Sequence, residues 1–217
     1  MIRLYHVTKR FDDIPALIDV STQVARGEFV YVGGPSGAGK STFLKLVYGA
    51  LTPTEGKLLV AGQDCSQLPA ARLAMLRRNI GVVFQDFKLI PRRTLAENVG
   101  LSLEVLGLPR EVIDRRVAAV LSLVGLRGRG AELPLQLSGG EQQRVAVARA
   151  IVGDPAVLLA DEPTGNLDGG MAIEVLEILQ AINLRGTTVV VATHDAALMQ
   201  RFPYRQLRFE GGRLVRG

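Results

Sequence analysis

The chain has 217 residues, 47% of them hydrophobic, with one cysteine (Cys65), two histidines, and 26 Lys and Arg against 21 Asp and Glu for a formal net charge of +5. That length and apolar share support a buried core in one compact unit rather than disorder, and a single thiol excludes disulfide frameworks and thiolate zinc sites. No uninterrupted apolar run reaches the roughly 18 residues of a membrane span, and the opening "MIRLYHVTKRF" lacks the apolar stretch of an export signal, so a cytoplasmic location is expected.

In chain order, "MIRLYHV", "ALIDVSTQV" and "GEFVYVGG" read as short strands, the second by its period-2 alternation and the third as an apolar run ending in glycines. A glycine loop then leads into a helix from about Lys40 to Gly49. "GKLLVAGQDC" has the form of a strand pair at a sheet edge, "ARLAMLRR" of a short helix and "IGVVFQD" of a buried strand. From Phe87 to Leu137 the spacing turns helical, through "TLAENVGLSLEVLG" and then "REVIDRRVAAVLSLVG", opened by Pro109 and closed by Gly125. An inserted helical subdomain is therefore expected over 87–137, within a single domain (1–217) whose core is formed by 1–86 and 138–217. "AVLLAD", a helix from about Gly170 to Leu184, "TTVVVATHD" and a short helix restore the alternation, and "YRQLRFEGGRLVRG" carries a hairpin signal at Gly211-Gly212. Buried strands alternating with helices predict an α/β fold around a mainly parallel sheet.

The chemistry concentrates at loops that follow the apolar strands. "GPSGAGKS" matches the P-loop pattern in its required context, after a strand and before a helix. Gly34, Pro35, Ser36, Gly37, Ala38 and Gly39 form the loop whose N–H groups can cradle phosphate, Lys40 reaches the terminal phosphates and the Ser41 hydroxyl can ligate Mg²⁺. "VLLADE" brings Asp161 to the end of a strand as a second metal ligand and sets Glu162 beside it to polarise a water. Gln85, after "IGVVF", can touch the metal or the attacking water, and His194, after "VVVAT", can bond a γ-phosphate, although alone it reads as a structural histidine. A second anion site opens a helix at Ser138, Gly139 and Gly140 in "LSGGEQQR", with no lysine or metal ligand beside it.

Taken together and in this order, "GPSGAGKS", "VVFQD", "LSGGEQQR", "VLLADE", "NLD" and "ATHD" resemble the ATP-binding cassette ATPases over essentially the whole chain. The resemblance implies a P-loop NTPase with a RecA-like core, an N-terminal antiparallel β subdomain and an inserted helical subdomain. It also implies ATP and Mg²⁺ as ligands, with the metal held by Ser41, Gln85 and Asp161. Thr42 joins the phosphate loop, Glu162 and His194 take catalytic roles beside Gln85 and Lys40, and Asp168 falls in the D-loop, where Asn166 stands in place of a common serine. Phe11 falls where the family stacks an aromatic on adenine, with a core position as its alternative. Ser138, Gly139, Gly140 and Glu141 would contact the ATP held by the opposite subunit, so a homodimer on ATP is expected.

Within the family, "LLADEPTGNLD" resembles a branch that includes lipoprotein-release, macrolide-efflux and cell-division ATPases, and "RRNIGVVFQDFKLIPRRTLAENV" is most similar to the cell-division, FtsE-type members. That branch implies an integral membrane partner of the FtsX type, control of cell-wall hydrolysis, and a peripheral place on the inner face of the plasma membrane. A transport or extraction ATPase of the lipoprotein-release or macrolide-efflux type is the alternative. The basic excess suits polyphosphate, anionic lipid or nucleic acid alike. A cassette acting on nucleic acid is disfavoured because the chain carries one cassette, no coiled-coil heptads and no zinc cysteines. Phe87, Leu89 and Ile90 are expected to face the membrane partner, and Arg92 and Arg93 to meet lipid headgroups or acidic loops.

Overall fold

The computed structural model describes residues 1–217. A long hairpin of β1 (Ile2–Phe11) and β2 (Ile14–Val24) comes first, followed by β3 (Phe29–Gly33) and α1 (Lys40–Val47). Next come β4 (Glu55–Val60), β5 (Gln63–Asp64), α2 (Ala70–Arg78) and β6 (Ile80–Val83). Helices α3 (Leu95–Val105), α4 (Arg110–Leu123) and α5 (Gly139–Ile151) follow without an intervening strand. The remainder is β7 (Val157–Asp161), α6 (Gly169–Leu184), β8 (Thr188–Ala192), α7 (Ala196–Arg201), β9 (Arg205–Glu210) and β10 (Arg213–Arg216). No helix is long and apolar enough to cross a membrane.

Two sheets result. The antiparallel one has the order β2-β1-β4-β5, and the other the order β10-β9-β3-β8-β7-β6. In the second sheet β9, β3, β8, β7 and β6 run parallel, and only the edge strand β10 is antiparallel. Its central strands β3 and β8 are buried along their whole length, which is why they appear as unbroken apolar runs instead of alternating patterns. Successive side chains still divide between two cores. Phe29, Tyr31, Val189 and Val191 pack with the helices α3 to α6, whereas Val30, Val32, Val190 and Ala192 pack with α1 and the antiparallel sheet. Helix α1 is thus sandwiched, its Phe43, Leu44, Leu46 and Val47 all buried.

The first hairpin is longer than its alternation predicts. His6 (φ 49°) and Asp19 (φ 51°) sit in the left-handed region, and the β1–β2 register shifts around Val7. Such irregularities flip the inside-outside sequence and hide strand continuity from a period-2 reading. The turn itself is Asp12-Asp13, with Asp12 at φ 50°, a type of residue that tolerates that conformation.

Helix α3 starts with a full capping box, Thr94 accepting from the Glu97 N–H while Glu97 accepts from the Thr94 N–H. Asn98, fully buried on its apolar stripe beside Leu95 and Val99, ties down the approach to the helix. Its Oδ1 accepts from the Ile90 N–H at 2.7 Å, and its Nδ2 donates to the carbonyls of Ile90, Arg93 and Thr94 at 3.1, 3.0 and 3.0 Å. A buried amide with both ends satisfied fixes a loop that has no regular structure of its own. Asn98→Ala is expected to leave the Ile90 N–H unpaired and destabilise the fold by about 2–3 kcal/mol, lowering Tm by roughly 5–10 °C. Thermal denaturation followed by circular dichroism checks this, and a shift below about 2 °C contradicts it.

Candidate active site

The parallel strands β3, β8, β7 and β6 are neighbours, and Val32, Ala192 and Asp161 are aligned across three of them. The loops leaving their carboxyl ends therefore converge, as ligand sites do in such sheets. Gly34 (φ 140°) and Gly39 (φ 106°) bend the loop after β3. A Cβ on Gly34 would lie 2.3 Å from the Phe209 carbonyl oxygen, and one on Gly39 2.6 Å from the Leu17 side chain, so neither position accepts another residue. This loop, from Pro35 to Thr42, forms a cavity of about 500 Å³ with Ala16, Gln85, Glu162 and His194. The N–H groups of Gly39, Lys40, Ser41 and Thr42 donate to no backbone acceptor in the chain, an arrangement suited to an anion. A larger opening of about 780 Å³, near Lys57, Asp64 and Arg72, contains none of the motifs.

Charge in the cavity is arranged around one carboxylate. Lys40 Nζ donates to the carbonyls of Gly34 (2.9 Å) and Pro35 (3.2 Å) and lies 3.6 Å from Glu162 Oε1. The same oxygen is 3.0 Å from His194 Nδ1. Glu162 has φ 47°, a conformation that costs a non-glycine residue about 1 kcal/mol or more. It is held there by its N–H, which donates to the Ala192 carbonyl at 2.8 Å, and by its carbonyl, which accepts from the Gly165 N–H at 3.1 Å. Asp161, the last residue of β7, accepts from the Ser41 hydroxyl at 3.1 Å. Burial pushes the Asp161 carboxyl above the usual range, the Ser41 hydrogen bond opposes that shift, and the neighbouring Glu162 adds to it. A hydroxyl and a desolvated carboxylate side by side are hard oxygen donors, and a divalent cation would relieve the disfavoured charge, so this pair fits Mg²⁺.

Gln85 stands two residues past the end of β6, exposed at the cavity. Asn166 Nδ2 donates to its carbonyl at 3.2 Å, so the residue that departs from the family serine links its own loop to the Gln85 backbone. The three residues expected to face a membrane partner are not equivalent. The Phe87 ring is half-buried and directed at Gly139, where an added Cβ would meet it at 4.0 Å. Leu89 packs against the helical core, and only Ile90 is exposed. Inward burial is the stronger driving force for a large apolar group adjoining a core, as at Leu89.

Ser138, Gly139 and Gly140 do not line this cavity. Ser138 caps α5 and accepts from the Glu141 N–H. Ser138 and Gly139 are exposed, whereas Gly140 is buried against Met171, and a Cβ there would strike the Met171 sulfur at 2.3 Å. The N–H groups of Gly139 and Gly140 have no acceptor in the backbone. Glu141, expected among the nucleotide contacts, has partners within its own chain. It accepts from the Ser138 N–H at 2.8 Å and pairs with Arg129. The Arg129 guanidinium, then the Ser138 N–H, hold its carboxyl down at about 2. Asp168 likewise caps α6, accepting from the Met171 N–H at 3.0 Å, and stands outside the cavity lining. Phe11, at the end of the first hairpin, is 46% exposed with Lys9 Nζ 5.4 Å from its ring centroid. Exposure removes the core alternative and leaves the ring open for stacking.

A further contributor comes from α5. Gln143 in α5 is fully buried and donates to the carbonyl of Pro163, the residue after Glu162, at 2.7 Å. Its signal was a polar side chain on a helix otherwise packed by Ala146, Val147 and Ala148.

A family model described as ABC transporter matches residues 17–165. The chain is 48% identical over 217 residues to the cell division ATP-binding protein FtsE of Bacillus subtilis strain 168, covering 100% of this chain and 95% of that protein. It is 47% identical over 217 residues to FtsE of Streptococcus pneumoniae serotype 2 strain D39, covering 100% and 94%. Among solved structures it matches a dimeric post-hydrolysis state of an ATP-binding cassette bound to ADP and Pi, with a TM-score of 0.89, 39% identity, and coverage of 100% of this chain and 97% of that one. With its phosphate loop, paired acidic residues and signature helix set out as above, and with these full-length similarities, the chain belongs to the ABC transporter family as an ATP-hydrolysing cassette.

Proposed function

We propose that the chain is the ATP-binding and hydrolysing subunit of an FtsE-type cell-division complex. It would work as a homodimer that closes on ATP and drives a membrane partner of the FtsX type controlling cell-wall hydrolysis. The observation that carries this reading is the separation just described. Lys40, Ser41, Gln85, Glu162 and His194 line one cavity, with Asp161 hydrogen-bonded to Ser41 at its edge, while the exposed start of α5 at Ser138 and Gly139 lies outside it. Gly139 is not crowded within its own chain, so its small size and unpaired N–H suit an approach from outside. A second copy supplies the fitting anion, the γ-phosphate bound at its own loop.

In this reading ATP lies along the loop from Gly34 to Thr42, with adenine against Phe11. Lys40 exchanges its bonds to the Gly34 and Pro35 carbonyls for the terminal phosphates. Ser41 and Asp161, with Gln85, would hold Mg²⁺, which supplies charge neutralisation at the phosphate oxygens. Glu162 orients and deprotonates a water for in-line attack on the γ-phosphorus. The bond from that phosphorus to the ADP oxygen breaks, and ADP and phosphate leave. His194, bonded to the Glu162 carboxylate, keeps that base aimed and faces the phosphate side of the cavity. Asp168 acts through the start of α6, and Glu141 through the α5 cap. The helical part over 87–137 is the lobe that meets the partner, with Ile90 in the contact. Arg93 is engaged with Glu104 at 3.4 Å, which leaves Arg92 for anionic lipid. The chain is held at the inner face of the plasma membrane through its partner, from the cytoplasmic side.

Glu162→Gln is expected to keep ATP affinity within a few-fold while lowering kcat by ~10²–10⁴-fold. Light scattering under ATP and Mg²⁺, with the membrane partner present, should then show an accumulated dimer, and a persistent monomer rejects the shared site. A complementation assay tests the same point independently. Chains with Lys40→Ala and chains with Ser138→Arg are each inactive alone, and mixing them should restore up to roughly a quarter of wild-type turnover, as one intact site forms in half of the random pairs. No recovery on mixing places both halves of the site in one chain.

A further inference from the structure

Arg149, on α5, forms no ion pair with any carboxylate. Its guanidinium instead donates to two backbone carbonyls, through Nη2 to Phe87 at 2.6 Å and through Nη1 to Lys88 at 2.5 Å. Those carbonyls belong to consecutive residues in the left-handed region, Phe87 at φ 57° and Lys88 at φ 51°. A pair of non-glycine residues rests there only when its surroundings hold it, and no glycine occurs between Gly81 and Gly100 to relieve the bend. Burial disfavours the guanidinium charge and lowers its pKa. An unpaired, desolvated arginine is costly unless its donors are used, and the rigid fork suits two adjacent oxygens.

The position of this clamp ties together parts of the site that are distant in sequence. Gln85, two residues before Phe87, lines the phosphate cavity, and its carbonyl is held by Asn166. The tip of the Phe87 ring lies against Gly139, at the start of the helix that carries Arg149. We propose that Arg149 is a positioning residue that fastens the Phe87-Lys88 backbone to α5, so that Gln85 at one ATP site and the Ser138-Gly139 terminus serving the other move as one body. This rests on the role proposed above for Gln85.

The test uses the full chain with its membrane partner and reads binding of a fluorescent ATP analogue separately from kcat and KM. In Arg149→Gln, analogue affinity should stay within about twofold while kcat falls ~10-fold or more, since displacements near 1 Å in a reacting site cost up to ~100-fold. Arg149→Lys should fall between, because an ammonium cannot span both carbonyls as the fork does, and it carries the test should Arg149→Gln fail to fold. Lys88→Gly alone should stay near wild type. Combined with Arg149→Gln it should recover kcat by about threefold or more, because glycine takes the left-handed bend without restraint. Unchanged kcat in both Arg149 variants overturns the clamp. So does a loss of analogue binding in step with kcat that Lys88→Gly does not rescue, which is the pattern of general damage. Gln85→Ala in the same assay separates the two levels. If it retains full kcat, the role of Gln85 fails and the clamp with it, whereas loss there with intact Arg149 variants overturns the clamp alone.

Discussion

Everything at the candidate site depends on the parallel pairing of β3, β8, β7 and β6 in one register. Because these strands all point the same way, the phosphate loop, Asp161 and Glu162, His194, and Gln85 emerge on one edge although they are separated by up to 160 residues of chain. Parallel pairing requires both faces of the sheet to be covered, which the helical side and the α1 side do with alternate side chains of the same strands. The arrangement leaves backbone ends, not side-chain packing, to set the spacing of the reacting groups. Asp161 and Ser41 meet because the last residue of β7 and the first turn of α1 are both anchored to this sheet.

A second level of organisation is hydrogen bonding from helix and loop side chains to the carbonyls of irregular segments. Asn98 holds the run before α3, Gln143 the segment after Glu162, Asn166 the Gln85 carbonyl and Arg149 the residues that follow it. Such segments cannot satisfy their own polar groups, and each is given a definite conformation by one donor reaching across from a regular element. Three of these donors sit on the helical half of the molecule and one on the loop before α6, so the loops at and near the cavity are tied to the helices and to one another through backbone carbonyls. Hydrophobic contacts contribute burial to these loops but not the same definition of angle.

The sheet and the phosphate site were largely legible before the structure because buried parallel strands write themselves as unbroken apolar runs, and because chemistry sits immediately after them. Both helices of the 87–137 stretch and the terminal hairpin were also plain from spacing. What stayed hidden shares one cause. Arg149, Gln143 and Asn98 are polar residues whose partners are carbonyls, and a carbonyl carries no identity in a sequence. Nothing in "VARA" or "AENV" distinguishes a side chain that faces water from one that faces a distant backbone oxygen. Phe87 is ambiguous in the complementary way, since an apolar residue beside a relay glutamine suits an outer groove and an inner contact equally, and in the fold it is half-buried with its ring tip near Gly139. For Glu141 the motif points to the nucleotide, and its bonds to Ser138 and Arg129 become visible only in the fold.

The exposed, unpaired start of α5 has a bearing on quantity as well as geometry. On the proposed shared site, an ATP site whose halves are never joined within one chain has no intrinsic rate that can be assigned to that chain. Turnover becomes a second-order property, set by how often two copies meet and how long they stay together. A scaffold that brings two copies side by side raises activity without touching a catalytic atom, and dilution silences a chain that remains folded. Local abundance is then itself a control variable.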